Sequence, residues 1–253
     1  MAEVDIARSL AAVGVRPGDT VMVHGDAGVA AQYRSTDPGQ RIGRLIGDVL
    51  AHIGANGTVV VPTFSYSFTK GEDFDPAATP GDVGLFSESF RTTPGVQRSH
   101  HPIFSVAAWG RQATRFAGSR IDDCFGEGTA FDLLMACDAK IVCLGCDISR
   151  VTFVHYVEQA RKVSYRYMKT FHGRVIRAGH PEPQATSYYV RDTSIRSECE
   201  LGWLKEVALG DGRLASGAAG RFPLLAIAAR DFFEAASGLL DENPYALIRE
   251  RLP

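Results

Sequence analysis

The run Thr58-Val-Val-Val-Pro-Thr63 constrains the fold more than any other stretch of the chain. Its consecutive apolar positions leave no polar face, so as a strand it must be covered on both sides, as in the middle of an α/β sheet. The helices needed to cover it are legible nearby. Val4, Ile6, Ala7, Leu10 and Ala11 predict a helix over residues 2–13, with Gly14 as its stop. Ile42, Leu45, Ile46, Val49, Leu50 and Ile53 predict a second over 40–53, and Asn56-Gly57 turns from it into the apolar run. Further strands are expected at 20–24, 103–109 and 139–144, and further helices at 128–136, capped by Thr129, and 152–163. The expected class is α/β, with a central mixed or largely parallel sheet flanked by helices. Beyond Val163 the signal changes: 186–191 reads as an added strand, and 222–239 mixes strand and helix character. The expectation is one domain over 1–253 with an elaborated C-terminal part.

Composition narrows the function classes. The 27 Lys+Arg against 29 Asp+Glu leave a formal net charge of −2 and no basic run, so nucleic acid is not an expected partner. No stretch approaches the roughly 18 apolar residues of a membrane span, so no membrane partner is expected either. The start, MAEVDIARSL, carries acids where a secretory signal carries basic residues, and a cytoplasmic location is expected. Five cysteines are too few and odd in number for a disulfide scaffold. Cys143 and Cys146 form a C-x-x-C within a strand-like run, where positions three apart face opposite ways; the expectation is divergent, inert thiols and no metal site.

The chain has no dinucleotide fingerprint, no G-x-x-x-x-G-K-[ST], no G-x-S-x-G and no H-E-x-x-H. Two histidine contexts remain. His155 follows a strand and opens a predicted helix, and ligands of open α/β sheets bind at the carboxyl ends of strands. Glu158, three positions on, shares its helical face. A carboxylate behind an imidazole makes a general base; a helix-capping His155 with a surface Glu158 is the other reading. The second context is Arg98-Ser-His-His-Pro102, where proline stiffens a polar connector. Arg98 there is suited to a phosphate or carboxylate, or else to local contacts in a turn.

At these residues the chain resembles the aminoglycoside 3-N-acetyltransferase family. The resemblance rests, in order, on Gly18-Asp-Thr-Val-Met-Val-His24, Gly57-Thr-Val-Val-Val-Pro-Thr-Phe-Ser65, Phe74-Asp-Pro76, Arg98-Ser-His-His-Pro102 with Ser105, Phe125-Gly-Glu-Gly128 and Thr152-Phe-Val-His-Tyr-Val-Glu158. It implies transfer of an acetyl or short acyl group from coenzyme A to a primary amine of an amino-sugar-like acceptor, with acetyl-CoA as cosubstrate and no metal. His155 and Glu158 are then the catalytic pair. The coenzyme is expected against Gly25, Asp26, Ala27 and Gly28, and against Thr63, Arg98, Ser99 and Ser105; many relatives have hydroxyls where this chain has Gly25 and Asp26. On the acceptor side the expectation names Thr152, a candidate oxyanion donor beside Ser105, and Asp75 from the acidic stretch Glu72, Asp73, Asp75 and Asp82.

The acceptor itself has two readings, an aminoglycoside or a free or nucleotide-linked amino sugar. The basic residues around Tyr165-Arg-Tyr-Met-Lys169, with Arg161, Lys162, Arg174 and Arg177, favour the second. A thioester hydrolase, a silent acyl-CoA-binding homologue and a Ser105 acyl-enzyme are the alternatives to direct transfer, and a homodimer is compatible with all of them.

Overall fold

A computed structural model of the chain describes residues 3–249; residues 1–2 and 250–253 of the expected domain span lie outside the described residues. The N-terminal half runs α1 (Ile6–Ala12), β1 (Thr20–Gly25), α2 (Pro38–Ile53), β2 (Thr58–Pro62), α3 (Leu85–Arg91), β3 (Gln97–Arg98), β4 (Val106–Gly110) and α4 (Ala113–Ala117). Then follow α5 (Ala130–Ala136), β5 (Lys140–Leu144), α6 (Val154–Arg161), β6 (Arg166–Arg177), β7 (His180–Arg191), α7 (Gly202–Gly210), β8 (Leu214–Ala219), β9 (Phe222–Ala228) and α8 (Ala229–Glu242). Seven strands form one sheet in the order β3-β4-β2-β1-β5-β9-β8. The centre is parallel, with Val21 opposite both Val59 and Lys140, while β4 and β9 run antiparallel on either side. The expected class is therefore observed in its mixed form.

Alternation along the central strands explains the two-sided core. Val21, Val23, Val59, Val61, Val142 and Leu144 face one apolar cluster, shared with α1, α2 and α3. Met22, Val60, Ile141 and Cys143 face the other, shared with α5, α6, α7 and α8. Helix α2 shows how local signals agree. Asp37 caps Gly39 and Gln40, Pro38 starts the helix, Gly54 (φ 70°) ends it, and Ile42, Leu45, Ile46, Val49 and Ile53 are buried. Each such side chain contributes roughly 1.5–3 kcal/mol of transfer free energy.

One expectation needs correction. The strand expected at 103–109 begins only at Val106, because the His101 ring turns the chain: its Nδ1 accepts the N–H groups of Ile103 (3.1 Å) and Phe104 (2.9 Å). Its Nε2–H donates to the Asp123 carbonyl (3.1 Å), so the buried ring is a satisfied neutral tautomer. The elaborated C-terminal part is observed, and it is built into the main sheet. β9 pairs with β5 inside the main sheet, and the mixed 222–239 segment resolves into a strand followed directly by α8. The true addition is the β6–β7 ribbon, a separate two-stranded sheet tied down through Phe74 with Ile176 and Arg174, and through Cys124 with Ser187. Among the described residues, no helix is long and apolar enough to cross a membrane.

Candidate active site

Helix α6 starts just after the carboxyl end of β5 and presents His155 in its first turn. Phe153, at its N-cap, makes no side-chain cap bond, so the ring of His155 is free of that duty. Its Nδ1 lies 2.6 Å from Oε2 of Glu158, whose side chain is fully buried. Burial pushes the carboxyl up, but His155 and Arg166 outweigh it and hold Glu158 below the usual carboxylate range. Nδ1–H therefore donates to an ionised carboxylate, and the tautomer is set with a lone pair on Nε2. No protein group among the described residues bonds to that Nε2. Burial, more than the opposing pull of Glu158, lowers the imidazole's own pKa, so the ring is neutral at pH 7 and open to a proton.

The pair is enclosed by elements distant in sequence. Arg166, at the start of β6, places Nε 2.7 Å from the same Oε2. Cys199 Sγ lies 4.0 Å from His155 Nδ1 and 3.6 Å from an Arg166 nitrogen, and burial pushes this thiol up to about 12, which removes it as a nucleophile. His155, Glu158 and Cys199 bring metal-ligand atoms within 4.8 Å of one another. The guanidinium already rests against two of them, and a second cation there would meet like charge. Aromatic contacts lead away from the ring: Phe125 at 5.6 Å, then Phe104, then Tyr66.

Tyr66 lines a cleft of about 640 Å³ at the carboxyl ends of β1, β2 and β5, with His24, Gly25, Asp26, Ala27, Arg150 and Thr152 among its other walls. The carbonyl of Thr152 accepts the His155 N–H at 3.0 Å, so the cleft and the pair share one turn of chain. The Thr152 hydroxyl has no protein partner among the described residues. Gly25 is glycine for a packing reason: a Cβ there would lie 2.4 Å from the Phe86 ring of α3. The carboxylate of Asp26 accepts the N–H of Gly28 at 2.7 Å, closing the short helical turn Ala27–Gln32. Gly25, Asp26 and Ala27 thus reach the cleft, whereas Gly28 lies behind them and its N–H is spent on Asp26. Arg150, which sequence reasoning missed, is an exposed cation on the cleft wall with no ion pair among the described residues.

Four other expected contacts do not face this cleft. Arg98 spends its fork on the protein: Nε on Ser105 Oγ (3.1 Å), Nη1 on the carbonyls of Pro76 (3.2 Å) and Thr79, and Nη2 on that of Thr63 (2.7 Å). Ser99 Oγ accepts the Val106 N–H within the β3–β4 turn. Ser105 is fully buried, with its hydroxyl donating to the Thr63 carbonyl at 2.6 Å, so it has neither access nor a base to act as a nucleophile. Asp75 caps its own loop through Ala77 and Ala78; Asp82, from the same acidic stretch, is the one on the cleft wall. Thr63 is intermediate, its side chain buried on the Ser105 carbonyl while Pro62 and Phe64 on either side reach the cleft.

The thiols and the basic wall also differ from expectation. Gly145 (φ 85°) reverses the chain after β5, where a Cβ would sit 2.5 Å from Val29, and so Cys146 returns towards Cys143 instead of diverging. Cys146 donates to the His24 carbonyl (3.2 Å) and lines the cleft, and its hydrogen bond with Cys143 lowers its pKa. The basic residues of 161–177 are largely neutralised: Arg161 by Asp241, Arg166 by Glu158, Arg174 by Asp73 and Arg177 by Glu182. The charge argument for a phosphorylated acceptor is thereby removed.

Residues 38–241 match the family model described as aminoglycoside 3-N-acetyltransferase. Aminoglycoside N(3)-acetyltransferase IV from Salmonella sp is 29% identical over 238 residues, spanning 92% of this chain and 84% of that protein. The crystal structure of the apoenzyme of aminoglycoside acetyltransferase AAC(3)-IVa superposes with a TM-score of 0.81 at 25% identity, covering 99% of this chain and 93% of that one. AAC-IIIb, solved in a binary complex with CoASH, shares the fold with a TM-score of 0.80 at 22% identity, covering 98% and 97%.

Proposed function

The chain belongs to the aminoglycoside 3-N-acetyltransferase family, and from that premise we propose that it moves an acetyl group from acetyl-coenzyme A to an amine of an aminoglycoside. The observation that carries the chemistry is the 2.6 Å contact of His155 Nδ1 with the buried Glu158 carboxylate, three residues on from Thr152 of the cleft wall. An alkylammonium cannot attack a thioester until it loses a proton. The ammonium gives its first proton to water; His155 Nε2 then takes a second as the neutral amine's nitrogen bonds to the thioester carbon, and Glu158 stabilises the imidazolium that forms. The tetrahedral oxyanion needs a donor, and the free hydroxyl of Thr152 on the cleft wall is the group placed to give one. Collapse of that intermediate breaks the carbon–sulfur bond and expels the thiolate of coenzyme A, which takes the proton held on His155 and leaves the ring neutral again.

Coenzyme A fits the cleft in outline. Gly25, Asp26 and Ala27 form its floor beside β1, and the unpaired Arg150 offers a cation for a phosphate. Asp82, though paired with Lys70, is a carboxylate on the same wall. With Arg161, Arg166, Arg174 and Arg177 each paired to a carboxylate, the basic stretch repels a polycationic acceptor less than its residue count suggests. A homodimer is compatible with this reading and is checked by sedimentation. A cytoplasmic location is part of the same proposal.

Thiol release from acetyl-CoA, measured with aminoglycosides, free amino sugars and nucleotide-linked amino sugars in parallel, tests the reading. Release that depends on an aminoglycoside supports it. Release only with a nucleotide-linked amino sugar moves the acceptor to the other class, and release without any amine identifies a hydrolase.

A further inference from the structure

The candidate pair has a feature that a two-residue description leaves unexplained. Glu158 is wholly buried, its Oε1 has no hydrogen-bond donor, and its Oε2 meets both His155 Nδ1 (2.6 Å) and Arg166 Nε (2.7 Å). A buried carboxylate needs a positive partner. With His155 alone, the partner would be the imidazolium itself, and a histidine already protonated cannot accept a proton. We propose that Arg166, carried on the β6–β7 ribbon, is a positioning residue of this site, the fixed cation that holds Glu158 ionised so that His155 stays free to act.

Geometry supports the assignment independently of titration. The Arg166 side chain is 2% exposed, and it sits at the first residue of β6, where the ribbon leaves the protein body. Its Nε–H is not directed at Oε2, so the contact acts through charge. Its other nitrogens donate to the Tyr189 carbonyl (3.3 Å) and the Cys199 sulfur (3.6 Å), which fix the guanidinium from β7 and from the segment before α7. The titratable groups facing the pair are Tyr165 behind Glu158, Tyr188 on β7, and Cys199; burial raises all three, so they are neutral near pH 7. Arg166 is thus the cation that balances Glu158 when His155 is neutral. It also opposes protonation of His155, in the same direction as burial.

This inference rests on His155 as the base, and the test separates the two. The imidazole of His155 is followed by NMR across pH 5–9, assigned with His155→Ala, beside the pH profile of kcat/KM. The wild-type midpoint is expected below 6.5. Arg166→Met removes one of two charges sharing an oxygen with the ring, so the midpoint and the acid limb rise together by roughly one to two pH units. Arg166→Lys keeps the charge and returns the midpoint towards the wild-type value, while losing the bonds that hold the guanidinium on Tyr189 and Cys199. A midpoint unchanged in a folded Arg166→Met protein overturns the proposal. If that variant does not fold, a wild-type midpoint above 7 with Arg166 in place overturns it equally. Wild-type turnover in His155→Ala would remove the base reading instead, and would not touch the titration of the ring.

Discussion

Replacing Arg98 with methionine separates two accounts of the Arg98–Ser105 segment. As a ligand for a coenzyme phosphate, Arg98 would cost affinity when lost and little stability. Its geometry says the reverse. Four hydrogen bonds join β3 to the carbonyl of Thr63 at the end of β2, to Ser105, and to the 76–79 loop, and the guanidinium lies 4.9 Å from the Phe74 ring centroid. A bond from a charged donor is worth about 1.5–3 kcal/mol, but only those to Thr63 and Ser105 lie in the buried interior. Those two acceptors keep each other, since Ser105 Oγ donates to the Thr63 carbonyl, and the loop carbonyls can be rehydrated. The cation–π contact adds about 0.5–1 kcal/mol. Burial without a carboxylate in contact pulls the guanidinium down to about 10, so removing the charge returns part of the loss. The net expectation is a destabilisation of about 2–4 kcal/mol, or a fall in Tm of roughly 5–15 °C for a chain of this size. Calorimetry gives the Tm, and titration of coenzyme A well below it gives Kd, which should change less than about threefold, because no donor of Arg98 faces the cleft. An unchanged Tm with a tenfold weaker Kd would refute this and restore Arg98 to the ligand.

Other substitutions and conditions test the remaining assignments. His155→Ala should lower kcat by roughly two to four orders of magnitude while leaving the thermal melt near wild type, as measured by acceptor-dependent thiol release. Ser105→Ala should leave no less acyl-enzyme than wild type, because none forms; a trapped acyl group on wild-type protein, seen by intact mass, would contradict direct transfer. Stability should fall on acidification from pH 6.5 towards 4. Burial pushes His24 and His101 down to about 4, so in that window the unfolded chain binds protons that the folded one refuses, and a flat Tm between pH 7 and 4.5 would count against it. Gly25→Ala forces a methyl group into the Phe86 ring and should cost about 1–3 kcal/mol, read by denaturant unfolding.

What could be read without coordinates was whatever depends on local periodicity. The parallel centre, α2 and α5 follow from runs whose burial repeats at strand or helix spacing, and the Thr129 cap is where its hydroxyl meets the Asp132 N–H. His155 and Glu158 were visible together because three residues on one helix are a local relation. Arg166 and Cys199 were not, since they reach the pair only through the folding of the ribbon and of the segment before α7. Of the β6–β7 ribbon only the end of β7, at 186–191, was legible; β6 was not, because most of it has no buried face, and without one there is no alternation to read. The errors at Cys146, Ser105 and Arg98 share one cause. Each side chain was expected to continue the direction of its strand or to face a ligand, and each is instead turned by a backbone event or a partner far along the chain: the positive φ at Gly145, the carbonyl of Thr63, and the 76–79 loop.

The reversal at Gly145 has a practical consequence at the bench. It brings a thiol of lowered pKa to the wall of the cleft, the one cysteine among the cleft's lining residues. Colorimetric reagents that register liberated coenzyme A will also register this side chain, so enzyme-only blanks belong in every progress curve. The same liability is a built-in reporter. Alkylation at Cys146 followed by peptide mass mapping yields a footprint of occupancy, dimming as a ligand fills the space above it, and works for molecules that are bound but never turned over.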